Sequence, residues 1–243
     1  MAIYYRTKGF VFKKDDRSEA DRIFTIFTED FGKLEVRARA IRKITSKLRG
    51  GINKFYLSGV EFIQGKNHKT LTDAVVIEKI NCSQNFEKLI ILNKIAELLN
   101  SFIKGQEKDE KLWNLISDIF QKINNQKLTA DTVRLLYFYF MWNFFSELGY
   151  KPEVQRCVKC SEKLNPYYLY FSSKEGGILC KKCFSLDKIA IKVSSDIVKI
   201  LRLILKKDWQ ILSRLKIEML SQKLLNQLSE NYYLYMLSSH SFS

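Results

Sequence analysis

The chain has 243 residues, enough for two or three domains that each bury a core. Lysine and arginine number 41 against 26 acids, and a net charge of +15 calls for a polyanionic partner, nucleic acid ahead of anionic membrane. No apolar run reaches the roughly 20 residues of a membrane span, and with no export-signal pattern the expected setting is the cytoplasm.

Residues 1–80 read as all-β. Tyr4-Tyr5 and Phe10–Phe12 frame a first strand, and Arg22–Thr28 form a second. Asp30-Phe31-Gly32 supplies a hairpin turn into a third, where Leu34, Val36, Ala38 and Ala40 alternate with Lys33, Glu35, Arg37 and Arg39. That period of two puts the first set on a core face and the second opposite it. Phe55–Ile63 and Thr70–Ile80 complete five strands, the number of a small OB-fold barrel.

Eight basic residues fall between Lys33 and Lys54, and Glu35 is the one acid among them. Arg37, Arg39, Arg42, Lys43, Lys47 and Arg49 lie on the strand and loop that border an OB-fold's usual ligand groove. A field of this kind can follow a phosphate backbone without reading bases. Charge runs are more often plain solvated faces; the position of this one favours nucleic-acid contact.

From 84 to 148 the period becomes helical. Apolar residues from Phe86 to Ile103 recur at three- and four-residue steps, a second helix covers 109–123, and a third covers 130–148. The third is apolar nearly all round, as befits the centre of a bundle; its aromatic run 137–142 reads as core rather than a base-stacking platform. Gly149 and Pro152 stop it. Beyond residue 192, Ser194-Ser195-Asp196 caps a helix to Lys206, a further helix runs from Trp209 to about Leu237, and the tail 238–243 frays.

Between these helical parts sit Cys157-Val-Lys-Cys160 and Cys180-Lys-Lys-Cys183, separated by nineteen residues. Two CxxC pairs at that spacing suit a tetrahedral thiolate site, each pair gripping from a tight turn. The spacer reads as a strand at 167–171, a turn at 172–177 and a return at Ile178-Leu179. A structural zinc ribbon is expected, with another metal such as iron, or redox chemistry, as the alternatives. Four thiolates leave no open position for a substrate. Cys82 reads as a core residue. The ribbon, 150–192, carries nine basic residues against four acids, so Lys159, Lys181 and Lys182 either touch nucleic acid or keep it soluble.

Catalysis finds little support. The two histidines, His68 and His240, belong to no metalloprotease or deaminase signature, and Gly50-Gly51 lacks the lysine of a phosphate-binding loop. Asp15, Asp16, Glu19 and Asp21 could hold magnesium for a nuclease, but they stand beside Lys13, Lys14, Arg17 and Arg22 and read as a self-neutralised loop.

The run GFVFKKDDRSEADRIFTIFTEDFGK from Gly9 to Lys33 resembles the opening of the RecO family of bacterial DNA repair and recombination proteins. The likeness continues through 38–43, Lys47–Gly50, Leu148–Glu153 with Cys157 and Cys160, and Gly176-Gly177 before Cys180. It implies an α+β chain: an OB-fold over 1–80, then a helical domain over 81–149 and 193–243 carrying the four-cysteine zinc module at 150–192. It further implies a DNA-repair mediator without enzymatic activity. Such a protein binds single- and double-stranded DNA, anneals complementary strands and, with RecR, helps load RecA onto DNA covered by single-strand-binding protein. The family's basic barrel face maps to Arg37, Arg39, Arg42, Lys43, Lys47 and Arg49, and docking of the C-terminal tail of single-strand-binding protein to the helical domain. The runner-up is an RNA-binding factor of the same build, equally compatible with an OB-fold and a basic ribbon.

Overall fold

Alternation of buried and exposed side chains along 4–79 folds five strands into a closed barrel: β1 (Tyr4–Asp16), β2 (Arg22–Thr28), β3 (Gly32–Ala38), β4 (Tyr56–Gln64) and β5 (Lys69–Lys79). This is a computed structural model, and it describes residues 3–80, 85–125 and 128–240. Cys82 lies outside these residues, as does the end of the tail.

The barrel order is β1-β2-β3-β5-β4, with β4 closing onto β1. All pairings are antiparallel except β3 with β5, which meet in parallel at Val36–Lys69 and Arg37–Thr70. Phe24, Ile26, Leu34, Val36, Val60, Phe62 and Leu71 fill the interior. Burying each such side chain contributes about 1.5–3 kcal/mol. The turn into β3 depends on Gly32: its φ is +60°, and a Cβ there would lie 2.1 Å from the Glu107 carbonyl oxygen.

Two helices, α1 (Phe86–Phe102) and α2 (Glu110–Asn125), share a compact unit with the barrel, Met1–Leu128. Asn85 caps α1 by accepting from the Lys88 amide, and Asp109 accepts from the Leu112 amide at the start of α2. Phe10 points out of β1 and is buried against Trp113 and Phe120, with ring centroids 5.0 and 4.1 Å away.

The second unit, Thr129–Ser243, is built on α3 (Ala130–Glu147), buried from Val133 to Phe145 over most of its circumference, as its sequence predicts. Trp142 stacks on Tyr232 at 4.7 Å and donates from its indole nitrogen to Ser229 Oγ at 3.0 Å. Asn143, also buried, donates to the carbonyls of Tyr139 and Ile204. Around α3 pack α4 (Ser195–Leu205), a single turn α5 (Trp209–Leu212) and α6 (Met219–His240). Ser194 caps α4 as expected, accepting from the Ile197 amide. The expected helix from Trp209 onward is broken between Leu212 and Met219, where the Asp208 cap supports one turn only.

The ribbon forms a three-stranded sheet, ordered β7-β6-β8, from β6 (Tyr170–Ser172), β7 (Gly177–Leu179) and β8 (Ile191–Lys192). Its hairpin turn is where the sequence places it, although β6 starts at Tyr170 rather than Tyr167; β8 is an addition. Phe171 ties this sheet to the helices through edge contacts with Trp142 and Tyr232. Arg202 of α4 holds the ribbon's entry by donating two hydrogen bonds, 2.9 and 2.8 Å, to the Val154 carbonyl.

Candidate nucleic-acid interface and metal centre

The barrel's basic edge is organised by one carboxylate. Asp21, whose side chain is 14% exposed, accepts two hydrogen bonds from the Arg37 guanidinium on Oδ2, at 2.9 and 2.7 Å. On Oδ1 it accepts the Ala40 amide at 2.8 Å. The Ala40 amide, and then Arg37, hold the Asp21 carboxyl below its usual range. The Arg42 amide adds a bond to the Ala20 carbonyl, so the segment after β3 is laced to the loop before β2.

This lacing alters the strand-face reading. The alternation runs only to Ala38; Ala40 adopts φ +52° and Arg39 stands in a turn rather than on the strand face. Arg37 remains on β3, half-buried and committed to Asp21. Arg39, Arg42, Lys43, Lys47 and Arg49 are exposed. Arg42 donates to the Ser18 carbonyl and lies 3.5 Å from Asp16. Among the described residues no acid lies within salt-bridge distance of Arg39, Lys43, Lys47 or Arg49, although Arg39 adds to the field that lowers Asp21. A short 3-10 turn, Lys47–Gly50, presents Lys47 and Arg49.

Two further members of the run serve the fold. Lys33 donates to the carbonyls of Asn100 and Ile103, ending α1, and burial lowers the pKa of its ammonium. Lys54 donates to Asn93 Oδ1 at 2.6 Å and lies over the Phe55 ring. Neither role is visible in the sequence, because their partners on α1 lie tens of residues away.

Three of the four carboxylates in the stretch 15–21 have a cation of their own. Asp15 pairs with Lys13 at 2.9 Å, Asp16 with Arg22 at 2.6 Å, and Asp21 with Arg37. The expected self-neutralised loop is present for Asp15 and Asp16, Asp21 pairs with Arg37 of β3 instead, and among the described residues no cation pairs with Glu19. The paired carboxylates point to separate cations rather than to one cleft, an arrangement unlike a two-metal site.

The cysteines do converge. The Sγ atoms of Cys157, Cys160, Cys180 and Cys183 lie within 4.8 Å of one another, and they are the one such cluster of ligand side chains among the described residues. A tetrahedron with metal–sulfur bonds of about 2.3 Å has edges of about 3.8 Å, and Cys160 and Cys180 are 3.8 Å apart. No disulfide joins the four thiols. The donor set and spacing therefore fit a four-coordinate metal.

Local backbone makes the grip. Ser161 takes φ +58° and donates to the Cys157 carbonyl, turning the chain so that Cys160 faces Cys157. The Cys180 amide donates to Cys157 Sγ at 3.4 Å. Burial alone would raise the Cys157 thiol, but amides of Cys160, Cys180 and Lys159 outweigh it and bring it down to about 6. Burial and the neighbouring sulfurs push Cys183 up to about 12. Four thiols so close cannot all ionise without a cation between them. Gly177 lets the first knuckle approach: a Cβ there would sit 2.5 Å from the Glu153 carbonyl oxygen.

Fold and site define an OB-fold barrel protein with a second, helical unit that carries a four-cysteine cluster spaced to hold a metal ion. Residues 1–80 match the family model for the N-terminal domain of recombination protein O, and residues 83–242 match the model for its C-terminal domain. DNA repair protein RecO of Dehalococcoides mccartyi is 30% identical over 221 residues, covering 90% of this chain and 85% of that protein. The RecO of Alkaliphilus metalliredigens is 26% identical over 239 residues, covering 98% and 96%. The chain belongs to the RecO family of DNA repair and recombination proteins. No helix among the described residues is long and apolar enough to cross a membrane.

Proposed function

We propose that this protein is a non-enzymatic recombination mediator of the cytoplasm. It binds single- and double-stranded DNA along the edge formed by Arg39, Arg42, Lys43, Lys47 and Arg49, with Arg37 as the strut that shapes it. Annealing two strands needs close approach of two phosphate chains, and a surplus of mobile cations supplies the screening while leaving bases free to choose their register. Together with RecR the protein would then help load RecA onto DNA covered by single-strand-binding protein, whose C-terminal tail docks on the helical domain. Zinc, held by Cys157, Cys160, Cys180 and Cys183, is the metal we assign; with every coordination position taken by sulfur, it would brace the ribbon and do no chemistry.

The observation that carries this reading is the row of exposed side chains at 39–49, four of them outside salt-bridge distance of any acid among the described residues, on a RecO-family barrel. The test reverses Arg39, Lys43, Lys47 and Arg49 to glutamate in the full chain and measures strand annealing and single-strand affinity at low salt. Loss of roughly a hundredfold or more in affinity is expected, each phosphate contact being strongly salt-linked. Wild-type values would remove the assignment. Competition between single-stranded DNA and RNA separates this reading from an RNA-binding factor.

A further inference from the structure

We infer that the ribbon carries a second single-stranded DNA contact, in which the exposed ring of Tyr167 stacks on an unpaired base and Lys181 meets the adjoining phosphate. The inference rests on the DNA-binding reading above and adds a base-contacting site to it.

Tyr167 is 80% exposed and Tyr168 is 40% exposed, a poor use of two aromatic rings in an unliganded module. The backbone that carries them is held in a turn. Asn165 accepts the Tyr167 amide on Oδ1 at 3.0 Å and the Tyr168 amide on its carbonyl at 3.1 Å, and Pro166 fixes the backbone between them. The Lys181 ammonium lies 4.5 Å from the centre of the Tyr168 ring. Lys181 directly succeeds Cys180, so its backbone is anchored at the sulfur cluster as the backbone of the two tyrosines is anchored by the turn. In the same module Tyr170 stacks on Phe184 with centroids 4.1 Å apart and planes 18° from parallel.

Charge selects the occupant. The ribbon has nine basic residues against four acids, and among the described residues only Lys159 and Lys182 of the nine pair with an acid, Glu175 and Glu162. Exposed aromatic rings on a basic module, here Tyr167 next to the Tyr168 ring that Lys181 overlies, are the arrangement that binds single strands without reading sequence. Duplex DNA presents no free base face to such a ring. Preordering also matters, because with the turn's backbone already fixed only side-chain torsions are lost on stacking.

The test compares Tyr167→Ala, Tyr167→Trp and Lys181→Ala in the full chain. The probe is a single-stranded oligonucleotide containing 2-aminopurine, whose fluorescence falls on stacking. Tyr167→Ala should weaken single-strand binding roughly tenfold and relieve the quenching. It should leave duplex affinity, melting temperature and the salt slope as in wild type. Tyr167→Trp should preserve quenching, and Lys181→Ala should make the slope of log affinity against log salt shallower by about 0.7. Unchanged affinity and quenching in Tyr167→Ala would overturn the inference, as would an equal loss on duplex or an effect confined to RNA. None of these results touches the barrel-edge assignment, which is read from the glutamate variant.

Discussion

The barrel edge and the ribbon both present cations on short, irregular backbone, yet they fix that backbone by different means. At the barrel edge a single carboxylate, Asp21, gathers the Ala40 amide and the Arg37 guanidinium, while the strands beneath are already secured by a filled interior. In the ribbon three very short strands enclose little apolar volume, and the four sulfurs occupy the place of a core. A surface built on a barrel keeps its shape without a metal. One built on a few residues of sheet would depend on an ion held between its two knuckles.

Metal removal exploits this contrast and should give the largest effect. Structural zinc contributes on the order of 10 kcal/mol to such modules, so chelation, or Cys157→Ser with Cys160→Ser, should unfold the ribbon and lower the melting temperature of the second unit. The barrel should be unaffected: duplex affinity should persist, and single-strand affinity should fall only by what Tyr167 and its neighbours supply. Loss of all DNA binding would break the division. Next comes Phe171→Ala, which empties the contact with Trp142 and Tyr232. Chemical denaturation should show a loss of about 3–5 kcal/mol, again with duplex binding retained.

Smaller effects belong to the barrel edge. Asp21→Asn keeps the side chain's size but removes the charge that holds Arg37. Hydrogen exchange at the Ala40 and Arg42 amides should accelerate by roughly tenfold, with the barrel strands still protected. The smallest effect concerns pH. The folded state depresses the Asp21 carboxyl below its usual 3.8, so the stability it contributes is complete above pH 3.8 and is lost as pH falls from there through the depressed value. Wild type should therefore lose stability faster than Asp21→Asn on acidification below pH 3.8, read as a difference in urea midpoints.

Local patterns in the sequence are the legible ones. The CxxC pairs reveal the sulfur cluster because each grip is formed within four residues, and period-two alternation reveals β3 up to Ala38. The turn beyond Ala38 is hidden: a left-handed alanine carries no glycine or asparagine signal, and the acceptor that stabilises it sits nineteen residues earlier. For the same reason Arg37 and Arg39 read as equals, although one is a strut and the other is exposed. The break after Leu212 escapes the sequence because 213–218 contains neither proline nor glycine and the apolar spacing continues across it. β8 is only two residues long, and its place beside β6 depends on the folded ribbon.

The salt dependence of single-strand affinity, compared between wild type and a variant with Arg39, Lys43, Lys47 and Arg49 changed to glutamine, addresses the barrel edge most directly. Each cation that meets a phosphate contributes about 0.7 to the slope of log affinity against log salt. The variant should lose a slope of roughly 2–3 along with its affinity, while its melting temperature stays at the wild-type value. A variant that binds with the wild-type slope would show that the phosphate chain lies elsewhere on the molecule.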